Sequence, residues 1–259
     1  MIFDWFSNNN YRNFEKITGA LFDLGIASRK QLLSVSSFSP PTLDRTLREL
    51  NKKELIIVGS LPDHRSVYRL SQKGVLYSQS MTRNSSIKVA PESQIGHFLG
   101  LNDILERMVE TFGRNFDWFN TREAADYLFT LRLVKGGINE ADLQKTYIRP
   151  DAFVKFENQH YWIEFDNSTE TSTQLLKKFR MYITNLNFRL EGYQNVIWIT
   201  KDAKRRDFIK KIWTDYENDT VEMHFFSAGE EILMLKRLLD KNSSNNQDQN
   251  ELSNMIELS

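Results

Sequence analysis

The amino-acid sequence predicts an α/β protein of the α+β type that is built from two domains. Residues 1–80 have the periodicity of short amphipathic helices followed by a β-hairpin. Residues 94–240 begin with a long helix and continue with alternating strands and helices. A serine-rich stretch without a clear period, residues 81–93, predicts a linker between the domains, and the polar residues 241–259 predict a disordered tail.

Composition excludes several classes of protein. The sequence contains no cysteine, which rules out disulfides and cysteine-based zinc sites. No apolar run approaches the roughly 20 residues that span a bilayer, and the first residues are too few and too polar after Phe6 for a signal peptide. We therefore expect a cytoplasmic protein without membrane contact. No glycine-rich phosphate loop, HExxH pair or nucleophile elbow occurs, which argues against an ATPase, a zinc protease or an α/β-hydrolase.

Charge is distributed unevenly along the chain. Residues 1–90 carry 13 Lys or Arg and 7 Asp or Glu, whereas the remaining residues carry 21 and 27. The formal net charge of zero therefore hides a basic first part, which is typical of contact with a polyanion such as DNA.

Three short helices and a hairpin are predicted in the first domain. Apolar residues at three- and four-residue spacing predict a helix from Tyr11 to Leu24, ended by Gly25. A second helix follows Ser28 as its N-cap, and a third follows Ser39 with two prolines in its first turn. Two β-rich runs then flank the turn LPDHR, which predicts a hairpin. This order of elements is typical of a winged helix-turn-helix.

The third predicted helix has one apolar face and one basic face. A basic helix fits the major groove of double-stranded DNA, where arginine contacts guanine edges or phosphates, and a hairpin tip contacts the backbone or the minor groove. The residues predicted to contact DNA are Thr42, Arg45, Arg48 and Lys52 in the helix and His64 and Arg65 in the hairpin. A homodimer on paired half-sites is compatible with this domain. The alternative is a solvated helix in a protein-binding domain.

The second domain is predicted to follow the order αβββαβ, with a further helix and strand after it. A long helix covers Ile95–Phe112, and a strand and a short helix follow in FDWFNTREAADYLF. Further strands are predicted in DAFVKF, HYWIEFD, NVIWIT and VEMHFFSA, with amphipathic helices between the last three. This alternation predicts a layered arrangement of helices on a sheet.

Three carboxylates are predicted to lie close together on two of these strands. The side-chain period of a strand is two, so Glu164 and Asp166 point to one face, whereas apolar residues such as Ile163 point to the opposite, buried face. Asp151 begins the preceding strand and is expected beside Glu164 across the hairpin. Carboxylates in this arrangement are suited to Mg²⁺, which polarises a scissile phosphate and activates a water. The predicted metal ligands are Asp151, Glu164 and Asp166.

The layout is that of PD-(D/E)xK nucleases, in which a lysine follows the glutamate by two residues. Here Asp166 takes the lysine position and adds negative charge where negative charge needs to be stabilised. A lysine of the following helix, Lys177 or Lys178, is the candidate for a relocated lysine, which gives Asp151, Glu164 and Lys178 as candidate catalytic residues. The alternative is a non-catalytic scaffold whose carboxylates pair with Arg149 or Arg180.

The sequence resembles the replication-relaxation family of plasmids and integrative elements over residues 12–215. The blocks that carry the resemblance are the winged-helix start, GHFLGLNDIL with His97 and Asn102, Trp118, RPDAFV, YWIEFDNSTE, KKFRMY with Lys178 and Tyr182, and VIWITKDAKRRDFIKKIW. The resemblance implies an N-terminal winged helix joined to a restriction-endonuclease-like domain. It also implies that the acidic residue at Asp166 is typical of the family, whereas Asn167 stands where a basic residue is common.

Three functions follow from these observations, and the acidic residue at the lysine position favours a non-enzymatic one. The first is a DNA-binding accessory protein in plasmid replication, relaxation or conjugative transfer, with a relaxase or a replication protein as partner. The second is a Mg²⁺-dependent endonuclease or nickase. The third is a transcriptional regulator of the mobile element. Taken alone, His97 is predicted to be structural.

Overall fold

The computed structural model of the chain describes residues 1–82, 89–135, 147–156, 159–186, 194–214 and 221–237. These residues form a mixed α/β fold with helices and two β-sheets. No helix among them is long and apolar enough to cross a bilayer. The predicted tail, residues 241–259, lies outside the described residues. The first elements are α1 (Asp4–Ser7), α2 (Asn13–Leu24), β1 (Ile26–Ser28), α3 (Arg29–Val35), α4 (Pro40–Lys52), β2 (Ile56–Ser60), β3 (Ser66–Leu70) and α5 (Gln72–Thr82).

The later elements form the second sheet and the helices around it. They are a 3₁₀ turn (Glu92–Gln94), α6 (Ile95–Phe112), β4 (Asp117–Asn120), α7 (Thr121–Lys135), β5 (Ala152–Phe156), β6 (Gln159–Asp166), α8 (Ser172–Leu186), β7 (Gln194–Thr200), α9 (Ala203–Thr214) and β8 (Val221–Ser227). Residues 230–237 are helical as well.

The predicted helices and hairpin of the first part are confirmed. Helix α2 ends at Gly25, whose φ of 70° favours glycine. The Ser28 hydroxyl accepts a hydrogen bond from the Gln31 amide at 3.3 Å and caps α3. Ser39 is the N-cap residue of α4, but its hydroxyl bonds the Thr42 hydroxyl and makes no cap hydrogen bond. Strands β1, β3 and β2 form an antiparallel three-stranded sheet in that order.

Several elements differ from the sequence expectation. Helices α1 and α5 and the three-residue strand β1 were not predicted, and α5 extends two residues into the predicted linker. The predicted short helix after β4 is the 15-residue α7. Helix α5 packs directly against the backbone at Leu55, because Gly74 has no side chain. A Cβ on Gly74 would lie 2.0 Å from the Leu55 carbonyl oxygen.

The second sheet is mixed and has the strand order β4-β5-β6-β7-β8. Strands β4, β5 and β6 are antiparallel neighbours, whereas β6, β7 and β8 run parallel. Parallel neighbours need a crossover connection, and α8 and α9 supply it after β6 and β7. Strand β6 therefore lies at the centre of the sheet.

Strand β6 is buried on both faces, which corrects the expectation of a single buried face. Ile163 and Phe165 pack toward α6, where a Cβ on Gly100 would lie 2.1 Å from the Phe165 ring. Trp162 points to the other face and joins the apolar cluster made with α8 and α9. The reason is the pair of crossover helices, which cover the face that carries the carboxylates.

The two parts of the chain share polar contacts through α6. The Asn102 side-chain amide donates to the carbonyls of Leu24, at 3.2 Å, and Ile26, at 2.8 Å. Gln31 of α3 donates to the Leu99 carbonyl at 2.9 Å. One apolar cluster also contains residues of both parts. The domain division at residues 81–93 stays a prediction, and these contacts attach the first part to α6.

Candidate functional site

Glu164 is held at the centre of the second sheet by β6 and has no exposed surface. A carboxylate in this position needs partners within the protein. The Lys178 ammonium lies 2.6 Å from Glu164 Oε2, and the Tyr182 hydroxyl donates to Glu164 Oε1. Lys178 and Tyr182 are four residues apart on α8, so the helix presents both to the same carboxylate.

Asp151 lies beside β6, as the sequence predicted. Its amide donates to the Ile163 carbonyl at 3.0 Å, and its Oδ2 accepts from the Phe165 amide at 2.8 Å. His97 of α6 places Nε2 at 3.2 Å from Asp151 Oδ1. Asp151 is therefore fixed by the backbone of β6 on one oxygen and by an imidazole on the other.

The pKa values of the two carboxyls shift in opposite directions. Burial raises the pKa of Glu164 to about 8, although Lys178 opposes the shift. Burial also acts to raise the pKa of Asp151, but the hydrogen bond with His97 and the charge of Lys178 outweigh it, and that pKa is lowered. Burial lowers the pKa of His97 and of Lys178, whereas the nearby carboxylates raise both more strongly. Such opposite shifts occur in acid–base pairs and in structural ion networks alike.

The cluster borders a cavity of about 460 Å³. The charged and imidazole side chains that line it are His97, Asp151, Asp166, Glu170 and Lys178. Lys178 also contacts Glu170 Oε1 at 3.0 Å, so the ammonium bridges the buried Glu164 and the rim of the cavity. Lys177, the other candidate for a relocated lysine, is exposed on α8. Of the two candidates for a relocated lysine, the structure therefore places Lys178 beside Glu164.

Asp166 is paired with a residue that the sequence argument did not consider. Arg205, in the first turn of α9, donates from Nε to Asp166 Oδ2 at 2.7 Å and from Nη2 to the Glu170 carbonyl at 2.7 Å. The other oxygen, Oδ1, accepts from the Ser168 amide at 2.5 Å. The arginine that neutralises Asp166 is therefore Arg205, and Arg149 and Arg180 are exposed.

A divalent cation does not fit this cluster as it is folded. Each oxygen of Asp151 and Glu164 already has a partner of this chain, and Lys178 places a positive charge beside Glu164. A cation would compete with Lys178 for Glu164 and with His97 for Asp151. Among the described residues, no group of three or more His, Asp or Glu is arranged to hold a metal ion. The metal assignment of Asp151, Glu164 and Asp166 stays a prediction.

The predicted DNA-contacting residues lie on two neighbouring elements. Arg45, Arg48 and Lys52 are exposed on α4, opposite its buried leucines, and Thr42 is half-buried. His64 and Arg65 are exposed in the turn between β2 and β3. The structure thus places all six at the surface of the first part.

A family model described as replication-relaxation matches residues 19–195. The match begins in α2, covers the first sheet, strands β4 to β6 of the second sheet and the residues Asp151, Glu164 and Lys178, and ends at the start of β7. The chain belongs to the replication-relaxation family. No curated protein and no solved structure matches it. Membership of the replication-relaxation family indicates a role in the replication or relaxation of a plasmid or another mobile element.

Three partners in the cluster of this replication-relaxation protein were missed by sequence reasoning. The contact of His97 with Asp151 joins residues 54 positions apart in the sequence and has no local signal. Arg205 is one of several basic residues of α9, and nothing in the spacing distinguishes it. Tyr182 could have been found, because it follows Lys178 by one helical turn on an inward face.

Proposed function

We propose that this protein binds double-stranded DNA through a winged helix-turn-helix formed by residues 1–80. In this proposal it serves the replication or relaxation of a mobile element as an accessory factor. The observation that carries the proposal is the outer face of α4. Arg45 and Lys52 are exposed there and make no hydrogen bond or ion pair with the part of the chain that the structure describes. Cations without an internal partner are available to phosphates.

The arrangement of the first part supports this proposal. The helices α2, α3 and α4 precede the β2–β3 hairpin, and β1 pairs with β3 as in winged-helix domains. Helix α3 contacts α6 through Gln31, whereas the face of α4 opposite its buried leucines is open. A single open helix with a basic face suits the major groove.

The basic side chains of α4 and of the β2–β3 turn differ in how far they are oriented within the protein. Arg48 donates to the Asp44 carbonyl of its own helix at 3.3 Å, and Arg65 pairs with Asp63 at 2.7 Å. These two side chains are partly oriented before DNA is bound, whereas Arg45 and Lys52 are not. Phosphate contacts supply affinity and position the helix, and contacts with base edges supply sequence readout.

We further propose that residues 94–240 form a restriction-endonuclease-like domain that acts as a platform for a relaxase or a replication protein. The carboxylates that a nuclease would offer to a metal are bound by Lys178, His97 and Arg205. An internally neutralised cluster stabilises a scaffold and leaves no open ligand position. A binding role agrees with this arrangement better than cleavage does.

A double replacement of arginine on α4 tests the DNA contact. The Arg45→Ala/Arg48→Ala variant is expected to bind duplex DNA at least about 10-fold more weakly in a band-shift titration. The dependence of log K on log salt should become less steep by about 1.8, since each lost phosphate contact removes about 0.9.

A matched control carries the same change in charge elsewhere. Lys73 and Lys236 are exposed on other helices, and Lys73 is already paired with Glu54 at 3.3 Å. The Lys73→Ala/Lys236→Ala variant should bind duplex DNA as the unmodified protein does. Equal binding by all three proteins would refute the assignment of α4 as the DNA-contacting helix.

The second candidate function is a Mg²⁺-dependent endonuclease or nickase. The observation in its favour is Lys178, which the fold brings to Glu164 next to Asp151 at a cavity. Supercoiled plasmid incubated with Mg²⁺ or Mn²⁺ should stay intact if the platform proposal is right. Nicked or linear product that disappears in the near-isosteric Asp151→Asn/Glu164→Gln variant would establish the nuclease instead. Circular dichroism of that variant checks that its fold is retained.

The third candidate, a transcriptional regulator, differs in where the protein binds. Footprinting on the native mobile element separates the two binding functions, because an accessory factor protects DNA near the origin and a regulator protects a promoter. Binding to a relaxase in a pull-down supports the accessory role.

A further inference from the structure

The two helices that cover the carboxylate face of the second sheet are strongly basic. Helices α8 and α9 together carry eight Lys or Arg and one acidic residue, Asp207. Residues 91–259 carry more acidic than basic side chains, so the charge of this layer is opposite to that of its surroundings. The layer faces outward, because its apolar side chains enter the cluster under the helices.

Four of these cations have no partner in the described parts of the chain. Lys178, Arg205 and Arg206 are used in internal ion pairs. Lys177, Lys204, Lys210 and Lys211 are exposed and make no hydrogen bond or ion pair within the described residues. The one anion among them, Asp207, is paired with Arg206 at 2.9 Å. Neighbouring lysines that lack partners attract a polyanion and gain from the release of its counterions.

An aromatic ring lies between two of these lysines. Phe208 follows Lys204 by four residues and precedes Lys211 by three, so the three side chains share one face of α9. Phe208 is 42% exposed, and the guanidinium carbon of Arg205 lies 5.1 Å from its ring centre. Arg205 is itself anchored to Asp166, which fixes the position of the ring from one side.

The two helices present one continuous surface. The rings of Phe179 in α8 and Trp213 in α9 lie 5.1 Å apart, so the helices pack side by side on the sheet. Lys177 is exposed on α8, the helix that packs beside α9. Lys204 and Lys211 are seven residues apart, or about 10 Å along the helix axis, so they can contact different phosphates of one strand.

We propose that the outer faces of α8 and α9 bind single-stranded DNA, with Phe208 as a stacking platform for an unpaired base and with Lys177, Lys204 and Lys211 as phosphate contacts. A duplex offers no free base face to an exposed ring, whereas a single strand does, and basic grooves with stacking aromatics bind single strands with little sequence preference. Replication and relaxation both expose single strands. This site is separate from the duplex contact of α4 and does not depend on it.

The test measures fluorescence anisotropy of a labelled 12-nucleotide oligo(dT) with the full chain. Phe208→Leu keeps an apolar side chain but removes the aromatic face, and it should weaken binding by about 5-fold or more. Lys204→Ala/Lys211→Ala should weaken binding about 10-fold and make the salt dependence less steep by about 1.4, because each lost contact on a single strand removes about 0.7.

The controls separate this site from α4 and from charge in general. Lys73→Ala/Lys236→Ala should bind oligo(dT) normally. Arg45→Ala/Arg48→Ala should lose duplex affinity and keep its affinity for oligo(dT), and the two α9 variants should do the reverse. Unchanged binding of oligo(dT) by both α9 variants would overturn the proposal. Equal losses of affinity for duplex and single-stranded DNA would overturn the choice of single strands. Neither result would contradict the duplex contact of α4.

Discussion

Replacing Lys178 by Met is expected to lower the free energy of unfolding by roughly 3 kcal/mol above about pH 8, where Glu164 is ionised, since removing one partner of a buried ion pair leaves the other uncompensated. Glu164 has no exposed surface and, among the described residues, would keep only the Tyr182 hydroxyl as a close partner. Adding Glu164→Gln should recover most of the loss, because a neutral amide does not need the ammonium. Denaturant unfolding of the two single variants and the double variant measures this coupling.

The pH dependence gives an independent check of the same pair. Burial raises the pKa of Glu164 from 4.5 to about 8, so the stability that this carboxyl contributes is complete below about pH 4.5 and is lost as pH rises to about 8. In Lys178→Met the cation that opposes this shift is gone, the pKa rises further, and stability continues to fall above pH 8. The difference in unfolding free energy between the two proteins should therefore widen above pH 8.

The stability of these variants also distinguishes a structural role of Lys178 from a catalytic one. If Lys178 is a structural partner of Glu164, the double variant regains stability and plasmid DNA remains uncut in every variant. If Lys178→Met unfolds like the unmodified protein but loses a metal-dependent nicking activity, the lysine is catalytic and the platform proposal is wrong.

The elements of the fold could be predicted from the sequence where periodicity and termination signals agree. Helix α2 has apolar spacing and ends at Gly25, and α3 has a hydroxyl cap at Ser28. Helix α5 was missed because its hydrophobic face is weak and its sequence continues into a serine-rich stretch. An element can therefore be predicted from the sequence where its local periodicity and its termination signals are both strong.

Burial of the carboxylates could not be predicted, because it depends on which helices cover the sheet. Alternation in β6 shows that Glu164 and Ile163 point to opposite faces but not which face is covered. The parallel order of β6, β7 and β8 places α8 and α9 over Glu164 and Asp166. The charge of each carboxylate must then be neutralised internally, which the sequence alone does not reveal.

The basic layer of α8 and α9 also could not be predicted from the distribution of charge along the chain. The net negative charge of residues 91–259 averages over many residues and therefore conceals the basic layer of α8 and α9. Secondary structure groups those cations on one surface. A charge count is informative for a surface and much less so for a length of sequence.

Restoring the nuclease lysine by Asp166→Lys is expected to destabilise the protein by about 4 kcal/mol or more and to confer no cleavage, since an unpaired buried charge costs several kcal/mol. The new ammonium would meet the Arg205 guanidinium, which now lies 2.7 Å from Asp166 Oδ2, and the Ser168 amide would lose its acceptor. Asp166 is 3% exposed, so water cannot screen the two cations. Thermal and denaturant unfolding measure the loss.

The neighbouring arginine supplies the matched control for this pair. Arg205→Met should cost about 3 kcal/mol because it leaves buried Asp166 unpaired, whereas Arg206→Met should cost at most about 1 kcal/mol because Arg206 pairs with Glu230 and Asp207 at the surface. The charge-reversed Asp166→Lys/Arg205→Glu variant should regain part of the stability that Asp166→Lys loses. Equal stability of Arg205→Met and Arg206→Met would contradict an anchoring role for Asp166. An anchoring role explains why an acidic residue fits here: the carboxylate ties α9 to the end of β6, a contact that lysine cannot make.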